Sequence, residues 1–167
     1  MNKNVYVFLG PIGSGKGTQA AFLGNLLGIP VLSTGFLLRE EVKKNTELSE
    51  IISNLINKGS MVPDDIMKNV LVNRLENDDC KNGFILDGFP RSYEQVFILQ
   101  DILDEANLNL DKVFVMNVDE DTIIKRITGR FMCKKCGAIY NKYFNNVKVE
   151  GRCDFCSSTE FETRTDD

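Results

Sequence analysis

The sequence contains no histidine among its 167 residues. This absence excludes mechanisms that use imidazole as a general acid or base, and it removes the commonest metal ligand. Basic residues are not in excess either, since 20 Lys and Arg stand against 24 Asp and Glu, for a formal net charge of −4. A global positive field for nucleic acid is therefore lacking, and any bound anion must be held by local groups.

Long apolar runs are also missing. No stretch approaches the roughly 18 residues of a transmembrane helix. The apolar run at 5–9 is too short for a signal peptide and leads directly into glycines. We therefore predict a cytoplasmic protein without a membrane partner, of a length that fits one core domain with small insertions.

Five cysteines are present, and four of them form two C-x₂-C pairs separated by sixteen residues. The paired residues are Cys133, Cys136, Cys153 and Cys156. In a reducing compartment this spacing predicts a Zn²⁺ site, and four protein ligands leave no open position, so the metal would be structural. Disulfides, a zinc ribbon that binds nucleic acid, and Fe²⁺ in place of Zn²⁺ are the alternatives.

Apolar runs and periodic segments alternate along the chain up to about residue 130. Strands are predicted at 4–10, 29–33, 83–88 and 112–118. Amphipathic helices are predicted between and after them, with Ser92 as an N-cap and with Gly28 and Gly59 at helix ends. The alternation predicts a mostly parallel α/β sheet, in which ligands bind beyond the carboxyl ends of the strands.

The segment GPIGSGKGT, Gly10–Thr18, follows the first predicted strand. Gly10, Gly15 and Lys16 fit the phosphate-loop pattern G-x-x-x-x-G-K-[ST], but Gly17 occupies the hydroxyl position. Backbone N–H groups and the helix N-terminus favour an anion there, and the lysine adds a full charge. A purely structural turn would need neither four glycines nor a lysine at a helix start, so we predict a phosphate site.

A second loop, DGFPRSYEQ at 87–95, follows another predicted buried strand. Asp87 could hold Mg²⁺ beside a bound triphosphate, directly or through water. Arg91 could make a bidentate contact to a phosphate. The alternative is an ordinary turn with a solvated acid and a solvated base.

Taken together, the motifs resemble those of adenylate kinases, within the nucleoside monophosphate kinases. The similar segments, in order, are GPIGSGKGTQ, STGFLLR, GSMVPDD, GFILDGFPRS with Gln95, RITGR, the four-cysteine module and TRTDD. The resemblance runs from the first strand to the last residue. It implies a monomeric transferase that moves the γ-phosphoryl group of ATP to AMP, reversibly, giving two ADP with Mg²⁺.

The resemblance also implies an architecture. The fold would be a P-loop three-layer α/β/α core with a parallel sheet, formed by 1–32 and 63–128. A small helical AMP-binding insertion would occupy 33–62, and a zinc-binding lid would occupy 129–167. The C-terminal part of the family's core would be missing.

Site residues follow from the resemblance by position. The implied ATP-binding residues are Gly13, Ser14, Gly15, Lys16, Gly17, Thr18, Arg130, Ile139 and Tyr140. The implied AMP-binding residues are Thr34, Arg39, Ser60, Met61, Val62, Gly88, Phe89, Pro90, Arg91, Gln95 and Arg164. The implied catalytic residues are Lys16, Asp87, Arg91, Arg126, Arg130 and Arg164. Cations in these positions suit a reaction that depends on in-line placement and charge stabilisation.

Two departures from the family pattern affect these expectations. Phe36 stands where the family usually has Asp, and the loss of that residue is expected to weaken a local cap or polar contact and with it the affinity for AMP. The sequence ends at Asp167, before the elements that usually follow, which include a further phosphate-binding arginine. Whether a piece of a longer protein or a natural short form, the chain as given is expected to have much reduced activity.

Other functions remain open at this point. Another nucleoside monophosphate kinase could act on GMP, UMP or CMP, or use GTP as donor, although Thr34 and Gln95 favour AMP. A nucleotide-binding protein without catalytic activity and a nucleic-acid-binding zinc protein are the alternatives from other classes.

Overall fold

A computed structural model of the chain describes residues 4–58 and 60–163. The chain forms two compact units, and each is described by itself. The first comprises Met1–Gly10 and Gly15–Met116, and the second comprises Pro11–Ser14 and Asn117–Asp167, as far as their residues are described. The predicted helix end at Gly59 and the predicted phosphate contact of Arg164 fall outside the described residues.

The first unit is built on a parallel sheet in the order β2-β3-β1-β4. Its strands are β1 (Asn4–Leu9), β2 (Val31–Ser33), β3 (Gly83–Asp87) and β4 (Asn109–Val115). Its α-helices are α1 (Lys16–Leu27), α2 (Thr34–Val42), α3 (Glu47–Asn57), α4 (Asp64–Leu75) and α5 (Tyr93–Glu105), with a 3-10 turn at Asp78–Cys80. The four strands lie near their predicted positions, and helices lie between them as predicted.

Helices cover both faces of this sheet. On β3, Phe84 and Leu86 point into a core shared with α4 and α5, whereas Ile85 packs with Ala20 of α1 on the other face. Successive side chains of a strand alternate between the two faces of the sheet, so an apolar run of this kind has buried side chains on both faces. The predicted three-layer α/β/α arrangement is confirmed.

Local capping signals also agree with the predictions. The Ser92 side chain accepts a hydrogen bond from the Gln95 N–H (3.2 Å) and caps α5. Gly28 ends α1 in the left-handed conformation, with φ 65°. Both features need only neighbouring residues, which is why sequence finds them.

The strand β4 differs from its prediction because it begins at Asn109 rather than Lys112. Its pairing with β1 shifts register between Val5 and Tyr6. At that shift the Asp111 carboxylate accepts the Val5 N–H at 2.7 Å. A side-chain oxygen thus replaces a ladder carbonyl, which a hydrophobicity pattern does not reveal.

The second unit contains α6 (Glu120–Thr128) and an antiparallel sheet in the order β6-β5-β7. Its strands are β5 (Arg130–Cys133), β6 (Ile139–Asn141) and β7 (Phe161–Glu162). Asp119 caps α6 by accepting the Thr122 N–H at 2.8 Å. The core is small and consists of cysteines and aromatic rings.

Within residues 4–58 and 60–163, no helix is long and apolar enough to cross a membrane. The predicted limits of an AMP-binding insertion at 33–62 and of a lid at 129–167 stay predictions.

Candidate active site and metal centre

The backbone of the loop after β1 requires glycine at three positions. Gly10, Gly13 and Gly15 have φ values of 141°, 78° and 94°, a region that other residues rarely adopt. A Cβ on Gly13 would in addition lie 2.9 Å from Cγ1 of Ile127. The glycines that looked like a phosphate-loop pattern are therefore conformational requirements of this loop.

Gly17 has a different reason to be glycine. It lies in the first turn of α1, and a Cβ there would come 3.3 Å from Asp87 Oδ2. The position that holds a hydroxyl in the usual phosphate loop is thus directly beside a carboxylate. Thr18, which supplies the next hydroxyl, is exposed.

Ser14 is the buried polar residue of the loop. Its side chain is 2% exposed, and its hydroxyl oxygen has no hydrogen-bond partner among the described residues. Buried polar groups normally have a partner, and an unpaired one costs free energy. An oxygen-rich ligand such as a phosphate would satisfy this hydroxyl.

Three charged groups of the first unit influence one another at the carboxyl edge of the sheet. Lys16 is the first residue of α1, Asp87 is the last residue of β3, and Arg91 follows in the next loop. Burial lowers the pKa of Lys16, while the charge of Asp87 opposes this shift and that of Arg91 adds to it. Burial likewise raises the pKa of Asp87, and the two cations partly offset the rise.

The titration of Asp87 provides a test of this arrangement. In the wild type, its pKa should lie above the ordinary carboxyl value of about 3.9, because burial dominates. In Lys16→Ala, the Asp87 pKa should rise further, because an attractive cation is lost. Carboxyl carbon NMR over a pH series measures both, with exposed Lys81→Ala as the control. An Asp87 pKa that falls in Lys16→Ala would contradict the arrangement.

The loop after β3, residues 88–91, is held by hydrogen bonds and is called the Gly88 wall below. The Gly88 carbonyl accepts from Thr34 Oγ1 at 3.1 Å and from Arg91 Nε at 2.6 Å. Gly88 has φ 84°, and a Cβ on it would lie 2.8 Å from Arg91 Nη2. Phe89 is buried, and its bond to Pro90 is cis. The wall thus holds an exposed guanidinium beside a buried threonine.

Gln95 lies behind this wall and is only 3% exposed. Its Oε1 accepts the backbone N–H of Arg91 at 2.7 Å, and its Nε2 donates to Asp64 Oδ1 at 2.7 Å. The side-chain amide is therefore held from two sides. The sequence pattern points to Gln95 and Arg91 but not to the contact with Asp64.

The remaining predicted AMP residues belong to the same unit. Arg39 lies on α2, and a Cβ on Gly35 would be 3.4 Å from its Nη1, so its guanidinium folds over that glycine. Ser60 and Met61 are exposed and Val62 is half-buried, in the segment before α4. Their predicted contacts to a nucleotide stay predictions.

Arg126 forms hydrogen bonds to Pro11–Ser14, the loop segment that belongs to the second unit. Its Nη1 donates to the carbonyls of Ser14 at 3.0 Å and of Gly13 at 3.3 Å. Its guanidinium carbon also lies 5.9 Å from the centroid of the Phe144 ring. The predicted catalytic arginine is thus positioned by backbone carbonyls and an aromatic face.

Arg130 begins β5, directly after α6. Ile139 is exposed, but the Tyr140 side chain is only 2% exposed and packs in the core of the second unit. The Tyr140 hydroxyl accepts the Asp154 N–H at 2.8 Å and lies 3.3 Å from Cys153 Sγ. Any contact between Tyr140 and a nucleotide base would therefore come from its backbone.

The four paired cysteines converge on one point. Their sulfur atoms all lie within 4.8 Å of one another, and Cys133–Cys156 and Cys136–Cys153 are separated by 3.5 Å. Tetrahedral Zn²⁺ with Zn–S bonds of about 2.3 Å places its sulfurs about 3.8 Å apart. The cluster therefore fits one tetrahedral ion.

The two C-x₂-C segments have matching backbone turns. The N–H of Gly137 bonds to the Cys133 carbonyl, and that of Ser157 bonds to the Cys153 carbonyl, both at 2.9 Å. Gly137 has φ 73° and Ser157 has φ 60°. The same left-handed position is thus filled by glycine in one turn and by serine in the other.

Opposite effects are expected from exchanging these residue types. Gly137→Ala should destabilise the second unit by about 1 kcal/mol, because alanine disfavours a left-handed backbone. Ser157→Gly should stabilise it by about 0.5–1 kcal/mol, since the same strain is relieved and only partly offset by unfolded-state entropy. Thermal unfolding of the metal-loaded variants measures both. Shifts of the same sign would contradict the equivalence of the two turns.

Two supporting residues escaped sequence analysis. Asp64 lies in an acidic pair at the start of α4, which by itself indicates only a helix terminus. Asn141 donates to the Arg126 carbonyl at 2.8 Å and so satisfies the end of α6 from 15 positions away. No local pattern in the sequence could have signalled either contact.

Comparison with known proteins agrees with this geometry. The family model described as adenylate kinase matches residues 8–164. The adenylate kinase of Zymomonas mobilis is 47% identical over 164 residues, covering 98% of this chain and 73% of the relative. The adenylate kinase of Thermosipho africanus is 45% identical over 160 residues, covering 96% and 75% respectively. This chain belongs to the adenylate kinase family of phosphotransferases.

Proposed function

We propose that the chain catalyses the reversible, Mg²⁺-dependent transfer of the γ-phosphoryl group of ATP to AMP, giving two ADP. The observation that carries this proposal is the convergence of Lys16, Asp87 and Arg91 in the first unit. Two cations and one carboxylate at the end of parallel strands suit a triphosphate, a monophosphate and a metal ion.

Each of these groups has a distinct role in the proposal. Lys16 binds the outer phosphates of ATP and neutralises charge on the transferring group. Asp87 anchors Mg²⁺, directly or through water, and Arg91 binds the phosphate of AMP. No general base is required, because the attacking phosphate oxygen of AMP is already anionic.

The acceptor side is supported by the Gly88 wall. Thr34 and Arg91 share the Gly88 carbonyl as hydrogen-bond acceptor, which positions both side chains at one loop. Arg39 would add a second cation to the AMP phosphate, and 60–62 would pack near its ribose and base. Gln95 would recognise the adenine edge.

The donor side is supported by the second unit. Arg126 binds the carbonyls of Gly13 and Ser14, so its charge is fixed at the loop that would receive the phosphates. The buried hydroxyl of Ser14 would be satisfied by a phosphate oxygen. Arg130 and Arg164 would complete the positive surroundings of the transition state, and Ile139 and Tyr140 would lie near the base.

We propose that the cysteine cluster holds a structural Zn²⁺ ion. Four thiolates complete the coordination and leave no position for water, so the metal would stabilise the small second unit and take no part in chemistry. Thiolate ligands fit a reducing compartment, and we expect a cytoplasmic monomer that acts on free nucleotides, without nucleic acid or membrane partners.

A coupled assay with ATP and a panel of nucleoside monophosphates tests the proposal. AMP should be the preferred acceptor, and omission of Mg²⁺ from the assay should abolish turnover. The Zymomonas relative, assayed in parallel, provides a reference for the measured activity. Preference for GMP, UMP or CMP would identify a different nucleoside monophosphate kinase. Calorimetric binding of a bisubstrate dinucleotide without turnover would identify a catalytically inactive nucleotide-binding protein.

A further inference from the structure

Asp64 occupies a position that the proposed reaction does not yet use. It is the first residue of α4, it is half-buried, and its Oδ1 accepts a hydrogen bond from Gln95 Nε2 at 2.7 Å. The two residues are 31 positions apart, so the tertiary fold creates this contact. Its partner is the glutamine proposed to recognise the acceptor base.

The contacts of Gln95 allow only one orientation of its amide group. A carboxylate can only accept hydrogen bonds, so the group facing Asp64 must be the NH₂. A backbone N–H can only donate, so the group facing Arg91 must be the carbonyl oxygen. A reversed amide would place oxygen against carboxylate and NH₂ against N–H. Because Gln95 is buried, the loss of two hydrogen bonds would not be compensated by water.

The fixed amide retains one donor and one acceptor beyond these two bonds. Adenine presents an amino donor at C6 beside the N1 acceptor, which matches that pair. A 6-oxopurine presents the reverse pattern, an oxygen acceptor beside an N1–H donor. In the same placement, the 6-oxopurine would require the reversed amide.

We propose that Asp64 is a positioning residue that sets the preference for 6-aminopurine over 6-oxopurine acceptors by fixing the orientation of the Gln95 amide. This inference rests on the proposed function, because it assumes that Gln95 contacts the acceptor base. Asp64 itself touches Gln95 and acts through it.

A simpler role for Asp64 would be local. An acid in the first turn of a helix interacts favourably with the helix dipole, and α4 has two, Asp64 and Asp65. Asp65 is exposed and follows directly in the chain. It therefore provides a matched control, since Asp65→Asn removes the same charge from the same helix turn.

The experiment measures the binding and turnover of AMP and of inosine 5′-monophosphate, which has a 6-oxo group. Full chains of wild type, Asp64→Asn and Asp65→Asn are compared by calorimetry and by the coupled assay. Asp64→Asn should lower the AMP-to-inosine preference by about 10-fold, the scale of one hydrogen bond to a charged group. The change should appear in the Kd and KM for the two nucleoside monophosphates, whereas kcat and the KM for ATP should stay within about threefold of the wild-type values. Asp65→Asn should leave the preference within about twofold.

Several outcomes would overturn the inference. An unchanged preference in Asp64→Asn would do so. An equal loss of affinity for both nucleotides, together with a lower Tm, would also do so, because it indicates a purely structural role. If Asp64→Asn does not fold, Asp64→Ser carries the same test, because serine suits a helix start but lacks the carboxylate. Failure of the wild type to bind AMP would instead refute the proposed function, so the two failures are distinguishable.

Discussion

Replacement of Lys16 by alanine is expected to lower kcat for phosphoryl transfer by at least ~10²-fold, the scale for losing one preorganised electrostatic group. Lys16 lies at the N-terminus of α1, where its ammonium group interacts electrostatically with Asp87. Lys16 is half-buried, so its charge is partly withdrawn from water, and this burial lowers its pKa. A charge in such surroundings acts more strongly on a phosphate than a solvated one.

The fold should survive this substitution. The first turn of α1 contains no acidic side chain, and a lysine at a helix N-terminus opposes the helix dipole. Alanine is also the best helix former. Circular dichroism and thermal unfolding of Lys16→Ala should therefore resemble those of the wild type, so that lost activity reflects chemistry.

Lys81→Ala is the control for this experiment. Lys81 is exposed and pairs with Asp78, away from the glycine loop in the chain. An exposed ion pair contributes little to stability, so activity should stay within about twofold of the wild type. If Lys16→Ala were indistinguishable from Lys81→Ala in kcat, the assigned role of Lys16 would be wrong.

Replacement of Cys153 by serine is expected to remove the metal from the second unit. Cys153 is 1% exposed, and its sulfur lies in the four-sulfur cluster. A serine oxygen is a shorter and harder ligand than a thiolate. Loss of an outer-shell partner already costs roughly 10–100-fold in metal affinity, and loss of a ligand should exceed that.

The consequence should be confined to the second unit. Its core consists of Cys133, Tyr140 and Cys153 with a few partly buried neighbours, which is too little apolar surface to replace the metal. Metal analysis should show less than one equivalent of zinc, and thermal unfolding should show an earlier transition. Binding of AMP, measured by calorimetry, should be retained, because Thr34, Gly88 and Arg91 belong to the first unit.

Cys80→Ser is the matched control. Cys80 is buried in the core of the first unit, where Arg74 Nη1 donates to its sulfur at 3.1 Å. Its substitution should leave the metal content unchanged. A Cys153→Ser protein that still binds one zinc at full affinity would exclude the cluster as the metal centre, and iron in place of zinc would identify a different metal.

Short-range patterns account for the success of the sequence predictions. Apolar runs, helix periodicity and the cap at Ser92 depend on residues within one or two turns. The glycines of the loop and the spacing of the cysteines are equally local. These features predicted the order of strands and helices, the glycine loop after β1 and the cluster of four cysteines, whereas binding of phosphate and metal there stays a prediction.

Long-range contacts explain what the sequence could not provide. The start of β4 was missed because the Asp111 carboxylate bonds to Val5, 106 positions away. The burial of the Tyr140 side chain beside Cys153 could not be read from the sequence either, and the predicted contact of this residue with a nucleotide stays a prediction. Asp64 was passed over because its partner lies on another helix.

The sequence by itself determined the alternating α/β order, the glycine loop around Lys16 and the two paired-cysteine segments, because each depends on residue types at fixed local spacing. Only the tertiary structure decided that Asp87 lies beside Gly17 and that Asp64 accepts a hydrogen bond from Gln95. It also decided the direction of the pKa shifts of Lys16 and Asp87. Burial and hydrogen bonding between distant residues arise from packing, which no local pattern encodes.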